Sequence, residues 1–472
     1  MFVPQSRRTF IQTVVSGTLT MGAGSIAGGC TPSGNSEADR PTRRNIASLA
    51  PNDPVIETYR AAVAAMKALP TTDGRNWTRQ AKIHETHCPH GNWFFLPWHR
   101  AYLHYFEEIC RELTGNEDFA LPYWNWTTSP RIPGIFWGGE TNPLFNANRT
   151  ATATSMVSGA STGPAALDEI LSQPNFLVFG SMPSTEQKTE TGSGELEATP
   201  HNYVHGFVGG TMGEMTSPLD PIFWTHHNMI ECCWVNWNLH RGHANPSDAA
   251  WRDFVFRQNF VDRHGKPVDV RVSDTLLLPL TSYQFEDCFP TAKADAAGMR
   301  ENAQKGAPAR LEYTERVPLR RSVEVSVGQP VALELPVRPD RLADALKTQP
   351  DHRILLTIGD VTAPADAEFA VHVFLDRHAG QVAASEHSPT FAGSISFFAG
   401  ATGHGGHGAS RPEFLLDVTG TVRRIFEDGA TATNPEHLVV HLVPTALEGR
   451  AAQDTRFRLE FVEVAVVRAP RD

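Results

Sequence analysis

Apolar residues recur every three or four positions through much of residues 54–289, which predicts a mainly helical region. The clearest apolar stripe runs through residues 99–113, and Pro97 stands just before it, at a position typical of a helix start. Residues 151–194 are rich in Gly, Ser, Thr and Pro, which predicts loops. We therefore expect helices that are joined by elaborate loops.

The pattern changes after residue 311, where short β-branched runs alternate between apolar and polar positions. Pro, Gly and Asp separate these runs, and such spacing is typical of an all-β sandwich or jelly roll. Residues 290–310 are small or charged and show no periodicity, which indicates a linker. The predicted organisation is a helical domain over 43–289, a linker over 290–310 and a β-domain over 311–472.

Residues 1–30 are typical of an export signal and are left out of the fold. Arg7 and Arg8 form a twin-arginine motif, and the Gly-rich stretch that follows is too polar to span a bilayer well. Cys30 follows Ala-Gly-Gly, which is similar to a lipoprotein cleavage site, so lipid attachment and simple cleavage both stay open. The predicted location is the periplasm, the membrane surface through a lipid anchor, or the medium.

The composition is that of a globular protein, with 40% hydrophobic and 20% charged residues. The 41 basic and 52 acidic residues give a formal net charge of −11, which disfavours nucleic acid as a partner. Six cysteines are too few to hold a chain of 472 residues together by disulfides. Cys232, Cys233 and Cys288 offer alternative pairings that the sequence does not separate.

Histidines stand out in two groups within aromatic surroundings. The six are His84, His90 and His99, then His201, His205 and His227. Three neutral imidazoles suit a copper ion, and two such groups predict a dinuclear copper site. One His-x-x-x-His pair is expected by chance in this composition, so the whole constellation is the evidence.

Spacing predicts how the histidines meet. His201 and His205 are four residues apart and face one side of a helix, while a second helix supplies His227. His99 lies near the start of a helix, with His84 on the preceding helix and His90 in the loop between them. Two helix pairs that offer histidines inward form a four-helix core around the metals. Spacing alone leaves open His84 or His87, and His226 or His227.

Two stretches, WTRQAKIHETHCPHGNWFFLPWHRAYLHYFEEI and HNYVHGFVGGTMGEMTSPLDPIFWTHHNMIECCW, resemble the copper A and copper B regions of the tyrosinase and polyphenol oxidase family of type-3 copper proteins. The arrangement is similar to the plant branch. The resemblance implies two copper ions, held by His84, His90 and His99 and by His201, His205 and His227. It also implies a packing role for His87 and His226.

The implied activity is oxidation of o-diphenols to o-quinones with O2, and monophenol hydroxylation as an added activity. The resemblance further implies that Glu197 and Asn202 hold a substrate-activating water and that Phe223 lies over the copper site. Cys88 is expected to form a thioether with His90. The partners are then a small phenol and O2.

Family members close the domain with a Tyr-x-Tyr signature, to which Tyr283-Gln-Phe285 is similar, and Arg43 is the expected stacking partner. In relatives a C-terminal β-domain lays a side chain over the copper entrance, so the same shielding is expected from residues 311–472. One departure is Glu231-Cys232, where members have Asp-Arg. It suggests one alternative, a catalytically weak copper and O2-binding protein. A second alternative, a haemocyanin-like O2 carrier, would use the same six histidines.

Overall fold

The computed structural model describes residues 40–286, 289, 294–349, 351–362, 369–376, 385–398, 412–426, 436–447 and 455–468. The twin-arginine motif and Cys30 lie outside the described residues. Within the described part, helices dominate up to residue 281 and strands dominate from residue 312 onward. No helix in this part is long and apolar enough to cross a membrane. The predicted fold class, a helical domain followed by a β-domain, is confirmed.

The helices are α1 (Pro54–Ala68), α2 (Trp77–His87), α3 (Phe95–Thr114), α4 (Gly159–Thr162), α5 (Pro164–Leu171), α6 (Phe176–Gly180), α7 (Asn202–Val208), α8 (Ile222–Val235), α9 (Ala249–Arg252), α10 (Val272–Thr275), α11 (Leu278–Thr281), α12 (Ala296–Gln304), α13 (Pro339–Thr348) and α14 (Thr419–Phe426). A π-helical turn, Glu197–His201, runs directly into α7. Three of these short helices lie in residues 151–194, where the sequence predicts loops.

Local signals explain where the central helices begin and end. The Asn76 side chain accepts hydrogen bonds from the first backbone N–H groups of α2, which is the usual role of Asn at a helix start. Helix α3 begins at Phe95, two residues before Pro97, and stops at Gly115. Gly115 has a φ of 68°, a left-handed conformation that glycine adopts without strain. Gly115 therefore marks the end of the helix that bears His99.

The strands are β1 (Thr42–Arg43), β2 (Asn245–Pro246), β3 (Val255–Val261), β4 (Pro267–Arg271), β5 (Gln284–Phe285), β6 (Gly306–Ala307), β7 (Glu312–Ser326), β8 (Val331–Leu335), β9 (His352–Gly359), β10 (Phe369–Asp376), β11 (Phe391–Ser396), β12 (Phe414–Asp417), β13 (Leu438–Ala446) and β14 (Arg456–Arg468). Strands β7 to β14 form two four-stranded sheets, in the orders β11-β10-β13-β8 and β12-β9-β14-β7. Their inward residues share one apolar core, as in a β-sandwich.

The two ends of the helical domain lie side by side. Strand β1 pairs in parallel with β5, with Arg43 opposite Phe285. The Arg43 guanidinium stacks on the Tyr283 ring, 3.4 Å from its centroid, and donates two hydrogen bonds to the Glu107 carboxylate. The start and the end of the domain are thus held to helix α3.

Most of the described residues in the segment predicted to be a linker lie in regular secondary structure. Of its described residues 294–310, nine form helix α12, and β6 pairs with β2. The α12 residues Asn302 and Ala303 are buried against the helical domain, where the Asn302 side chain donates to the Leu239 carbonyl. Charged surface residues masked the few buried positions, which is why periodicity did not reveal this helix.

Candidate metal centre

Elements from distant parts of the chain bring the six predicted histidines together. Helix α2 supplies His84, the following loop supplies His90, and α3 supplies His99. The π-helical turn supplies His201, α7 supplies His205 and α8 supplies His227. Possible ligand atoms fall into two groups, each with its atoms within 4.8 Å of one another: His84, Cys88, His90 and His99, then His201, His205, His226 and His227. All eight side chains are buried.

Hydrogen bonds fix which ring nitrogen carries the proton. His84 Nδ1 donates to the Met215 carbonyl at 2.7 Å, and His99 Nδ1 donates to the Phe95 carbonyl at 2.9 Å. Since these neutral rings hold their proton on Nδ1, the lone pair on Nε2 is available to a metal.

The second group repeats this arrangement. His201 Nδ1 donates to Asn202 Oδ1 at 2.8 Å, and His205 Nδ1 donates to the Met212 carbonyl at 2.6 Å. His84 Nε2 and His201 Nε2 are buried and have no hydrogen-bond partner among the described residues. Buried nitrogens are rarely left without partners, so these two atoms fit metal ligands. Two groups of this kind fit two copper ions.

Burial keeps the rings neutral. Loss of hydration, together with the neighbouring imidazoles, holds the pKa of His84, His90, His201 and His227 well below the usual range. Burial lowers the pKa of His99 to about 3 and that of His205 to about 4. Neutral imidazole is the form that binds a metal ion.

The two groups touch. The His99 ring stacks on the His227 ring with centroids 4.2 Å apart, and the His90 and His201 centroids are 5.8 Å apart. Two metal ions in these groups would therefore be close neighbours, as a dinuclear centre requires.

The histidines that spacing left open lie in different surroundings. His87 is only half-buried and belongs to neither group. His226 belongs to the second group, but its Nδ1 accepts a hydrogen bond from the Trp126 indole N–H at 3.2 Å. The neutral His226 ring then carries its proton on Nε2, which leaves no lone pair for a metal. The geometry therefore favours His227 as the third ligand of the second group.

Cys88 lies among the ligands of the first group. Its Sγ atom is 3.4 Å from His99 Nε2 and 3.8 Å from His90 Nε2, and burial raises the pKa of the thiol well above its usual range. Cys88, Cys110 and Cys233 are free thiols, whereas Cys232 is disulfide-bonded to a cysteine outside the described residues.

We expect copper-loaded protein to contain a covalent bond between Cys88 Sγ and the His90 ring. Peptide mass mapping should find the two residues linked and lighter by two hydrogen atoms, because formation of the bond removes one hydrogen from each partner. Cys110, which is equally buried, serves as the control that stays a thiol after unfolding. Complete alkylation of Cys88 in unfolded, previously active protein would contradict this prediction.

Glu197 and Asn202 line one small cavity of about 30 Å³ with His90 and Phe398, which is enough for a water molecule. Glu197 accepts hydrogen bonds from the Gly91 N–H and the Ser181 hydroxyl, both at 2.7 Å. Burial raises the pKa of Glu197 to about 8. The cavity therefore suits the water that the resemblance implies. The sequence did not indicate Gly91 or Ser181, because such partners are known only once the chain is folded.

Two phenylalanine rings enclose the centre. Phe223 lies 4.1 Å from the His227 ring centroid and 5.1 Å from that of His84. Phe398 follows β11 in the sandwich and lies 4.7 Å from His90 and 4.8 Å from His205, so it bridges the two groups. Phe398 is only 4% exposed. Sequence analysis expected a shielding side chain but did not identify it, since Phe397 beside it lies in the sandwich core.

Beside this ring, backbone carbonyls of β11 accept hydrogen bonds from the helical domain. Thr199 Oγ1 donates to the Ser394 carbonyl at 2.6 Å, and Asn202 Nδ2 donates to the Ser396 carbonyl at 2.9 Å. Both donors lie next to the ligand His201. The β-domain therefore contacts the segment that forms the site as well as covering it.

Glu231 has a structural role. Its carboxylate accepts from Arg100 Nε at 2.8 Å and from the Tyr283 hydroxyl at 2.6 Å, and Arg100 stacks on the Trp234 ring. It contacts no ligand histidine in these hydrogen bonds. His227 Nδ1 has no hydrogen-bond partner among the described residues, so packing against rings orients this ligand.

We expect Glu231→Ala to destabilise the protein by about 3–5 kcal/mol, because it leaves the Arg100 guanidinium buried without its carboxylate. Tyr283→Phe removes one hydrogen bond and keeps the stacking on Arg43, so its cost should be about 1 kcal/mol. Thermal unfolding of the copper-loaded variants measures both. Equal, small losses would show that the ion pair is not required.

A helical core that presents two touching groups of neutral, buried histidines fits a dinuclear copper site of the type-3 class. Residues 62–159 and 138–240 match the common central domain of tyrosinase, and residues 317–458 match a domain of unknown function, DUF7868. The chain belongs to the tyrosinase and polyphenol oxidase family.

The chain is also similar to individual tyrosinases and polyphenol oxidases. Tyrosinase HcTyr1 of Hahella sp. (strain CCB-MM4) is 28% identical in a match that covers 81% of this chain and 91% of that protein. The chloroplastic polyphenol oxidase of Spinacia oleracea is 30% identical in a match that covers 49% of this chain and 45% of that protein. The solved structure of latent aurone synthase (polyphenol oxidase) has a TM-score of 0.70 at 21% identity, covering 95% of this chain and 92% of that one. The last likeness concerns the fold.

Proposed function

We propose that this protein oxidises o-diphenols to o-quinones with O2, and that its β-domain holds it in a shielded form. The observation that carries the proposal is the pair of touching histidine groups under a covering aromatic ring, in which hydrogen bonds from Nδ1 of His84, His99, His201 and His205 leave the Nε2 lone pairs available. Copper, when bound by His84, His90, His99, His201, His205 and His227, supplies the redox chemistry and the binding of O2.

The side chains around the centre bind and deprotonate the phenol. A free phenol has a pKa of about 10, so its ionisation at neutral pH costs roughly 4 kcal/mol. Burial raises the pKa of Glu197 to about 8, so most of it is protonated at neutral pH, and the ionised minority is a strong enough base to accept that proton through a water held with Asn202. Phe223 presents an apolar face against which the phenol ring can pack.

Copper-loaded protein should consume O2 and form quinone with catechol, and the rate should rise when the shield is removed. Two diphenols each lose two electrons and two protons, and one O2 takes up these four electrons and four protons to form two water molecules. Monophenols such as tyrosine, assayed alone, test the added hydroxylation. Full copper content without turnover of catechol, even in shield-free variants, would reject the proposal.

That outcome would favour the second candidate, a copper and O2-binding protein with weak catalysis. The observation behind it is His227, whose Nδ1 has no hydrogen-bond partner among the described residues, while the Glu231 carboxylate pairs with Arg100 and Tyr283. Ligand histidines are usually oriented by such an acceptor. Reversible O2 binding without catechol turnover would identify this function.

A further inference from the structure

The contact between the sandwich and the helical domain contains a buried carboxyl group, Glu195. It is 6% exposed and lies two residues before the π-helical turn. Its Oε1 accepts a hydrogen bond from the Asp417 backbone N–H at 2.6 Å, across the contact. Its Oε2 is buried and has no hydrogen-bond partner among the described residues. An ionised carboxylate in this position would be poorly compensated.

Most of the charges that face Glu195 are negative, and the Arg353 guanidinium, which opposes them, lies against Asp417. Asp417, at the end of β12, brings a second carboxylate, whose Oδ1 accepts from the Thr419 N–H and whose Oδ2 lies 3.8 Å from Arg353 Nη1 of β9. Glu169 of α5 adds another negative charge and is paired with Arg424 of α14 at 3.3 Å. Burial and the Asp417 charge hold the pKa of Glu195 well above its usual range.

Glu195 and Asp417 lie in the same contact between the sandwich and the helical domain as Phe398. Between them the Ser193 N–H donates to the Glu413 carbonyl at 2.8 Å, and the Leu415 N–H donates to the Ser193 carbonyl at 3.2 Å. The segment from Ser193 to Asn202 thus meets β11 and β12 along its length. Weakening the contact at Glu195 would loosen the docking that keeps Phe398 over the centre.

We propose that Glu195 makes the docking of the β-sandwich dependent on pH. The docked contact is stable when the buried Glu195 carboxyl group is protonated, and it is destabilised when this group is ionised beside Asp417. The proposal rests on the shielding that is part of the proposed function. Release of the sandwich returns Glu195 to water, where its pKa is ordinary.

This difference in the pKa of Glu195 decides whether docking becomes stronger or weaker as the pH rises. The docked state has the raised pKa, so docking is fully favourable at low pH, where Glu195 is protonated in both states. As pH rises above the ordinary range, release becomes coupled to loss of a proton, and docking weakens until Glu195 ionises in the docked state as well. Shielding should therefore be tightest in acid and loosen toward alkaline pH.

Amide hydrogen exchange of the copper-loaded full chain tests the proposal without any turnover. Exchange of peptides from β11 and β12 is followed from about pH 6 to about pH 9 and corrected for the intrinsic rate at each pH. In the parent protein the corrected opening should increase by up to about tenfold per pH unit. In Glu195→Gln, which stays neutral at this position, the slope should be clearly shallower, and the remainder belongs to Glu197, which Phe398 also covers.

Two further variants keep the test decisive. Glu169→Gln removes an exposed acid on the same side and should keep the parent's slope. Asp417→Asn removes the like charge but leaves the burial, so its slope should be weaker than the parent's. The proposal is overturned if the slope in Glu195→Gln is as steep as in the parent, or if opening in the parent protein does not depend on pH. Absence of catechol oxidation would instead reject the proposed function, because exchange reports docking alone.

Discussion

His227→Ala is expected to leave the protein with one copper ion instead of two and to abolish catechol oxidation. The variant loses a ligand whose ring contacts both groups, at 4.2 Å from His99 and 4.9 Å from His201. Two imidazoles hold copper more weakly than three, and a single remaining copper lacks the neighbour needed to take up electrons from a diphenol. Copper content by atomic absorption and O2 uptake with catechol measure the two effects.

His226→Ala is the matched control. His226 is the adjacent, equally buried ring, but the Trp126 hydrogen bond holds its Nδ1 and places the proton on Nε2. This variant should bind two copper ions and keep measurable activity, with a loss of stability from the missing ring. If His226→Ala loses a copper ion while His227→Ala keeps both and stays active, the ligand assignment is reversed.

Phe398→Ala should increase the rate of catechol oxidation by the full chain by roughly 30-fold. The ring is almost completely buried between the two histidine groups, and burial of a phenylalanine contributes about 2 kcal/mol. Removal of this contribution both clears the space over the centre and shifts the docking equilibrium toward release. Copper content should not change, because Phe398 is not a ligand.

Phe398→Leu separates shielding from unfolding. Leucine keeps an apolar side chain over the histidines, so this variant should stay close to the parent rate, whereas alanine should not. Circular dichroism of both variants checks that the sandwich remains folded. An unchanged rate in copper-loaded Phe398→Ala would show that substrate reaches the centre by another route.

The sequence predicted the helical and β-rich parts and the histidines that the structure brings together, because both depend on local pattern. Helix α3 follows from its apolar stripe and from Gly115, and the pair His201 and His205 follows from spacing on one helical face. Period-two alternation located β8, β9 and β10. Such signals act over a few residues and survive without knowledge of the fold.

Features that depend on contacts between distant segments were not predictable in this way. Phe398 and Phe397 are neighbours of the same type, yet one faces the metal centre and the other the sandwich core. Glu231 departs from the family pattern, and its partners Arg100 and Tyr283 come from 131 and 52 residues away. No local pattern distinguishes these positions, because contacts between distant segments decide their surroundings.

The pairing of β1 with β5 affects what a protease could do to this protein. The stacking of Arg43 on Tyr283 holds the two ends of the helical domain together. A cut beyond Phe285 would therefore leave both ends of that domain paired. The severed sandwich would no longer be held near the centre by the chain, and its return would depend on its concentration in solution. A single cleavage would thus turn a reversible balance between covered and open forms into a permanent, one-way activation.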